Sequence, residues 1–153
     1  MLKRNRWAIG VTGSVVLALA LGVTAVLGRG HVVFVEPEST PAWVQRIALV
    51  DNAIERSETS RAVYEWREAY GAALGTKGSE ALITVADRAI RIAELLGGSG
   101  YFVNEARYIY MHAVGRARAE RSRETLLKIA EAFDKLGDAK RASQVRRIAE
   151  QWS

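Results

Sequence analysis

Between Trp7 and Gly28 the chain reads WAIGVTGSVVLALALGVTAVLG, 22 positions without one charged side chain. As an α-helix, such a stretch reaches roughly 33 Å, enough to cross a hydrocarbon core of about 30 Å. Lys3, Arg4 and Arg6 stand just before it, whereas only Arg29 follows closely. A lysine and arginine bias of that sign holds the amino end in the cytoplasm and carries the remainder across the bilayer. The expected placement is a bacterial inner membrane, single-pass, with the following domain periplasmic or extracytoplasmic. A second reading stays open, because Val23-Thr24-Ala25 would pass as the small-residue cleavage site of a secretory signal. Against cleavage, the apolar run continues through Val26 and Leu27 and resumes at Val32 to Val35. That is longer than a signal core requires.

The chain then divides into a basic flank (1–6), a transmembrane helix (7–28), a connector (29–40) and one domain (41–153). The formal charge of +5 suggests nucleic acid until it is split along the chain. From Glu36 onward there are 18 Lys and Arg against 17 Asp and Glu, so the excess belongs to the membrane flank and nucleic acid is not the expected partner. Inside the domain the charge is uneven: residues 36–106 hold 7 basic and 11 acidic side chains, residues 107–153 hold 11 and 6. The absence of cysteine removes disulfides, thiolate zinc sites and thiol nucleophiles together.

Helical periodicity governs everything after the connector. Thr40-Pro41 predicts a hydroxyl cap with proline in the first turn, followed by the stripe Val44, Ile47, Val50 or Asp51, and Ile54 with Trp43 beside it. Val63, Trp66, Tyr70 and Ala73 or Leu74 give a second stripe ending at Gly75, with Ser57, Thr59 and Ser60 marking the break between the two. Ser79 is the expected cap of a third, whose apolar positions Leu82, Val85, Ala86, Ala89, Ile92, Ala93 and Leu96 stop at Gly97-Gly98-Ser99-Gly100. A fourth spans about Tyr101 to Ala119, with Phe102, Ala106, Ile109, Tyr110, Ala113 and Ala117 on one face and Tyr108, Met111 and Gly115 on another. Ser122 caps a fifth carrying Leu126, Ile129, Ala130, Phe133 and Leu136; Gly137 closes it. Asp138 caps a sixth with Ala142, Val145, Ala149 and Trp152. The fold class expected is all-α: one transmembrane helix, then about six antiparallel helices joined as hairpins.

The last hairpin, LLKIAEAFDKLGDAKRASQVRRIA over Leu126 to Ala149, resembles a tetratricopeptide repeat. Leu126, the pair Ile129-Ala130, Phe133, Gly137-Asp138, Ala142 and Ala149 occupy the positions that carry the likeness. Arg146 departs from it, standing where the family places a large apolar or aromatic side chain. Stepping back by the family's period of about 34 residues puts Leu96 where Ala130 stands, so no upstream copy is in register. The resemblance implies stacked helical hairpins that bind partners through extended surfaces. One repeat cannot bury its own apolar faces, and Trp43, Trp66 and Tyr70 offer large bodies for the stack.

Nothing assembles into catalytic chemistry. His31 and His112 have no ligand at metal-binding spacing, and His112 is expected to have no chemical role. Glu65, Glu68, Asp87, Glu94 and Glu105 alternate with arginines and read as helix ion pairs. Gly97-Gly98-Ser99-Gly100 lacks the strand and lysine of a phosphate loop. No cofactor, metal or catalytic residue is therefore expected. Binding residues are expected instead: Arg107, Tyr108 and Met111 join arginine to aromatic and thioether groups, a composition enriched at interface hot spots. Arg116, Arg118, Arg121 and Arg123 form a basic run suited to an acidic protein or to anionic lipid headgroups. The functional expectation is a membrane-anchored scaffold or adaptor, an assembly factor or accessory subunit of a membrane complex. The alternatives are a permanent structural subunit and, if the leading segment is cleaved, a secreted helical binding protein.

Overall fold

The computed structural model describes residues 40–152, so the apolar stretch 7–28 and most of the connector lie outside the described residues. Six α-helices follow one another: α1 Ala42–Glu55, α2 Thr59–Leu74, α3 Glu80–Leu95, α4 Gly100–Ala119, α5 Arg123–Lys135 and α6 Ala139–Ala149, with a 3-10 turn Glu150–Trp152. They pack in consecutive pairs, α1 with α2, α3 with α4 and α5 with α6. Between pairs, α1 and α2 both lie against α3, and α4 lies against α5. Short connectors force each chain reversal, as helical hairpins require. All described residues belong to one compact unit, Glu38–Ser153. None of its helices is long and apolar enough to cross a membrane.

The apolar stripes become a continuous core. Leu82, Val85, Ala86, Ala89 and Ile92 of α3 are buried, as are Phe102, Ala106, Ile109, Tyr110 and Ala113 of α4 and Leu126, Ile129, Ala130 and Phe133 of α5. Trp66 is the main joint between the first two hairpins. Its ring packs edge-on against Phe102 of α4 at 5.4 Å, and its Nε1–H donates to the Val85 carbonyl of α3 at 2.9 Å. Of the alternatives Ala73 and Leu74 it is Ala73 that is buried, and Leu96, expected inside, is exposed because it stands just past the end of α3.

Four helices end alike. In α5 the N–H of Gly137 donates to the Asp134 carbonyl at 2.9 Å and that of Asp138 to the Phe133 carbonyl at 2.8 Å, with Gly137 in the left-handed region at φ 70°. This paired-bond closure satisfies two otherwise orphaned carbonyls. The same bond pairs close α1, α3 and α4. In α1 and α4 the left-handed position is filled by Ser57 (φ 56°) and Arg121 (φ 53°), residues that carry no glycine signal. Helices α2 and α6 end differently: α6 runs on into the 3-10 turn, and in α2 Gly75 stays right-handed at φ −72°, its N–H donating to the Ala72 carbonyl at 3.2 Å.

Several capping and pairing expectations are corrected. Ser122 and Asp138 do cap α5 and α6, accepting from the N–H groups of Thr125 and Arg141. Thr40 does not cap α1; Pro41 occupies that position, and the Thr40 carbonyl accepts from Gln45 instead. Ser79 gives α3 no side-chain cap, because its hydroxyl donates to Glu120. Nor are the carboxylates merely paired along their own helices. Glu65 is buried and accepts from Arg46 of α1 at 2.8 Å, and Asp51 of α1 receives both Arg88 and Arg91 of α3. Packing places these partners 19 to 40 residues apart in sequence, beyond the reach of any i, i+4 pattern.

Candidate partner-docking surface

Helix α4 buries one face and leaves the other open, since its apolar positions recur on one side only and a 20-residue helix outreaches its neighbours. Along the open face Tyr101, Tyr108 and Met111 are 58%, 56% and 40% exposed. His112 is exposed as well and its ring lies 4.4 Å from that of Tyr108.

Where the middle of α4 passes the start of α6, Asn104, Arg107, Tyr108, Met111, Asp138 and Arg141 line an open cleft of about 350 Å³. Arg107 is fixed within it. Its Nη1 donates to Asn104 Oδ1 at 3.0 Å and its Nη2 to the Leu136 carbonyl at 2.8 Å. Its Nε is buried without a hydrogen-bond partner and stands 4.0 Å from Asp138 Oδ2. Asp138 is engaged by Arg141, which donates to it from both its backbone N–H and its guanidinium. Those bonds, the guanidinium first, hold the Asp138 carboxyl below the usual carboxylate range. Arg107, Tyr108 and Met111 are thus brought together. Asn104, Asp138 and Arg141 complete the cleft, and sequence reading had used Asp138 only as a cap.

The basic run separates into two parts. Arg118, Arg121 and Arg123 are exposed and carry no ion pair or hydrogen bond from their side chains among the described residues. Arg116 is different. Its Nη1 donates to the carbonyls of Ala73 and Gly78, each at 3.0 Å, and to Thr76 Oγ1, while Nη2 donates to the Leu74 carbonyl at 3.0 Å. This guanidinium closes α2, taking over what the left-handed turns do for its sisters. One helical turn on, Glu120 accepts from the Ser79 N–H at 2.7 Å and from its hydroxyl at 2.6 Å. The two side chains together clasp the connector Gly75–Ser79.

Arg116→Ala is accordingly expected to lower the stability of the domain by about 1 to 3 kcal/mol, the cost of taking the guanidinium from the Leu74 and Gly78 carbonyls and from the Ala73 carbonyl it shares with Thr76. Arg118→Ala should stay within about 0.5 kcal/mol, as an exposed side chain without partners does. Urea unfolding of both variants checks this; equal losses would show that the clasp is not what stabilises the α2 end.

A second cleft of about 420 Å³ lies between α3 and α5, with Ile83, Ile90, Ala132 and Leu136 among its walls. At its base the Tyr110 hydroxyl donates to Asp87 Oδ1 at 2.5 Å. Burial, and then that bond, push the Tyr110 phenol well above its ordinary value, so it stays protonated. Among the described residues no cluster of three or more His, Asp or Glu could hold a metal ion. Comparison with protein-family models, with curated proteins and with solved structures returns no match.

Proposed function

We propose that this protein is a membrane-anchored, tetratricopeptide-repeat-like scaffold without catalytic activity, which binds protein partners on the open face of α4. The observation that carries the reading is the row of exposed Tyr101, Tyr108 and Met111 beside a fixed Arg107. Aromatic, methionine and arginine side chains are those enriched where protein surfaces meet. The repeat-like reading draws support from the last hairpin, whose positions Leu126, Ile129, Ala130, Phe133, Ala142 and Ala149 are all buried. Arg146, at the departing position, reaches back to Asp134 of α5. Membrane anchoring rests on the uncharged stretch Trp7 to Gly28 and its basic flank. Tethering then raises the concentration of the domain near other membrane proteins, as suits an assembly factor or accessory subunit of a bacterial membrane complex. The unpaired Arg118, Arg121 and Arg123 supply long-range attraction for an acidic partner surface.

Photocrosslinking in native membranes, with the crosslinker at position 108, tests the reading. A discrete set of membrane-complex subunits is expected in the membrane fraction. Tyr108→Ala should reduce recovery at every salt concentration, because apolar anchoring is not screened. Charge reversal at Arg118 and Arg121 should slow association more than it speeds release. Recovery of the protein only in the soluble fraction, without residues 7–25, would remove the anchor. Crosslinks indistinguishable from those at a buried control position would remove the docking face.

A further inference from the structure

We infer that the cleft between α4 and α6 binds an acidic peptide segment, seating a glutamate or aspartate carboxylate on Arg141 beside Arg107 and an adjoining apolar side chain on Tyr108 and Met111. The inference rests on the docking face proposed above and names the chemistry of its ligand.

Three observations converge. First, the cleft holds two guanidinium groups against one carboxylate, Asp138, so its charge is unbalanced towards an anion. The surroundings reinforce this: α6 contains Lys140, Arg141, Arg146 and Arg147 and no acidic residue between Ala139 and Ala149. Second, the network is incomplete. Arg107 is anchored through Asn104 and the Leu136 carbonyl, yet its Nε is buried with no acceptor, and Asp138 stops 4.0 Å short of it. Asp138 is held away by Arg141, whose side chain remains 47% exposed. A carboxylate arriving on the exposed side of Arg141 takes over that guanidinium, the geometry in which paired N–H donors are strongest. Asp138 Oδ2 then closes on Arg107 Nε while Oδ1 keeps the Arg141 N–H that caps α6, which satisfies the one orphaned buried donor among the described side chains. Third, the opposite wall is apolar and uncovered, formed by the Tyr108 ring and the Met111 thioether. A charge next to an apolar body matches those two walls. A free anion would leave the second wall bare.

The chain contains only two methionines, Met1 and Met111, so methyl-13C methionine labelling of the full chain in detergent micelles, with a Met111→Leu variant to assign the signal, gives a single reporter in the cleft. The probe is a soluble pentapeptide with a leucine between two glutamates; its counterpart has glutamines in their place. The glutamate peptide should shift the Met111 methyl saturably. The glutamine peptide should bind about tenfold more weakly. Arg141→Gln, with unchanged helical circular dichroism, should lose a similar factor, whereas the triple Arg118→Gln, Arg121→Gln, Arg123→Gln variant, which removes only long-range attraction, should lose a smaller one. Equal shifts with both peptides, or no shift at millimolar peptide, would overturn the inference. So would loss of binding in the triple variant alone, which would place the acidic ligand on the basic turn. Crosslinking from position 108, read on the same preparation, keeps the two proposals apart: partners captured there despite a silent peptide titration leave the docking face standing and remove only its acidic ligand.

Discussion

Phe133→Ala is expected to destabilise the domain by about 3 to 5 kcal/mol, the cost of emptying a phenylalanine site in a packed core. Phe133 is fully buried, its ring meets Tyr110 of α4 edge-on at 5.8 Å, and its carbonyl receives the Asp138 N–H that closes α5. The ring therefore serves the α5–α6 hairpin and its seam with α4 together, and neither side can collapse into the space without opening the other. Whole-domain stabilities are only about 5 to 15 kcal/mol, so the variant should lose a large part of its margin. Urea unfolding of the fragment Glu38–Ser153, followed by circular dichroism, measures the loss. A change under about 1 kcal/mol would mean that the last hairpin is not packed on α4 through this ring.

Trp66→Ala should cost a comparable 3 to 5 kcal/mol, roughly the range for a large aromatic removed from a core. The position is 2% exposed, stacks on Tyr70 at 6.0 Å, meets Phe102 at 5.4 Å and donates to the Val85 carbonyl. It is the side chain through which the first hairpin grips both helices of the second. Trp66→Phe separates the contributions, since it keeps most of the apolar body and removes the donor. That variant should lose about 1 to 3 kcal/mol. If the phenylalanine variant is as unstable as the alanine one, shape and not burial dominates the joint. If it matches the parent, the bond to Val85 contributes nothing measurable.

Much of the helical order was legible because apolar side chains recur with the helical period. Leu82, Val85, Ala89 and Ile92 were readable as one face of α3, and that face is buried. Buried alanines such as Ala53, Ala62 and Ala69 were not, because alanine suits either face of a helix and carries no directional signal. Gly137 announced the end of α5, whereas Ser57 and Arg121 adopt the same left-handed geometry with side chains that betray nothing. Gly75 misled in the other direction, marking a helix end without using the freedom that glycine offers. For the site, Tyr108 and Met111 fell on the face left over when the core stripe of α4 was drawn, and both are exposed. Arg141 and Asp138 were hidden because they come near Arg107 only where the turn between α5 and α6 meets α4. Arg116 was read with its basic neighbours, although its partners sit 38 to 43 residues earlier.

The clasp of Arg116 and Glu120 also orders events in time. Ser79 and Glu120 are separated by 41 residues, so during synthesis the connector Gly75–Ser79 emerges well before the side chains that close it. At translation rates of about 5 to 20 residues per second, that interval lasts about 2 to 8 s. Throughout it, the end of α2 has only its local bonds, from the Gly75 and Thr76 N–H groups and the Thr76 hydroxyl to the Ala72 and Ala73 carbonyls. The end of the first hairpin is thus completed by the second, since the Leu74 and Gly78 carbonyls receive the Arg116 guanidinium.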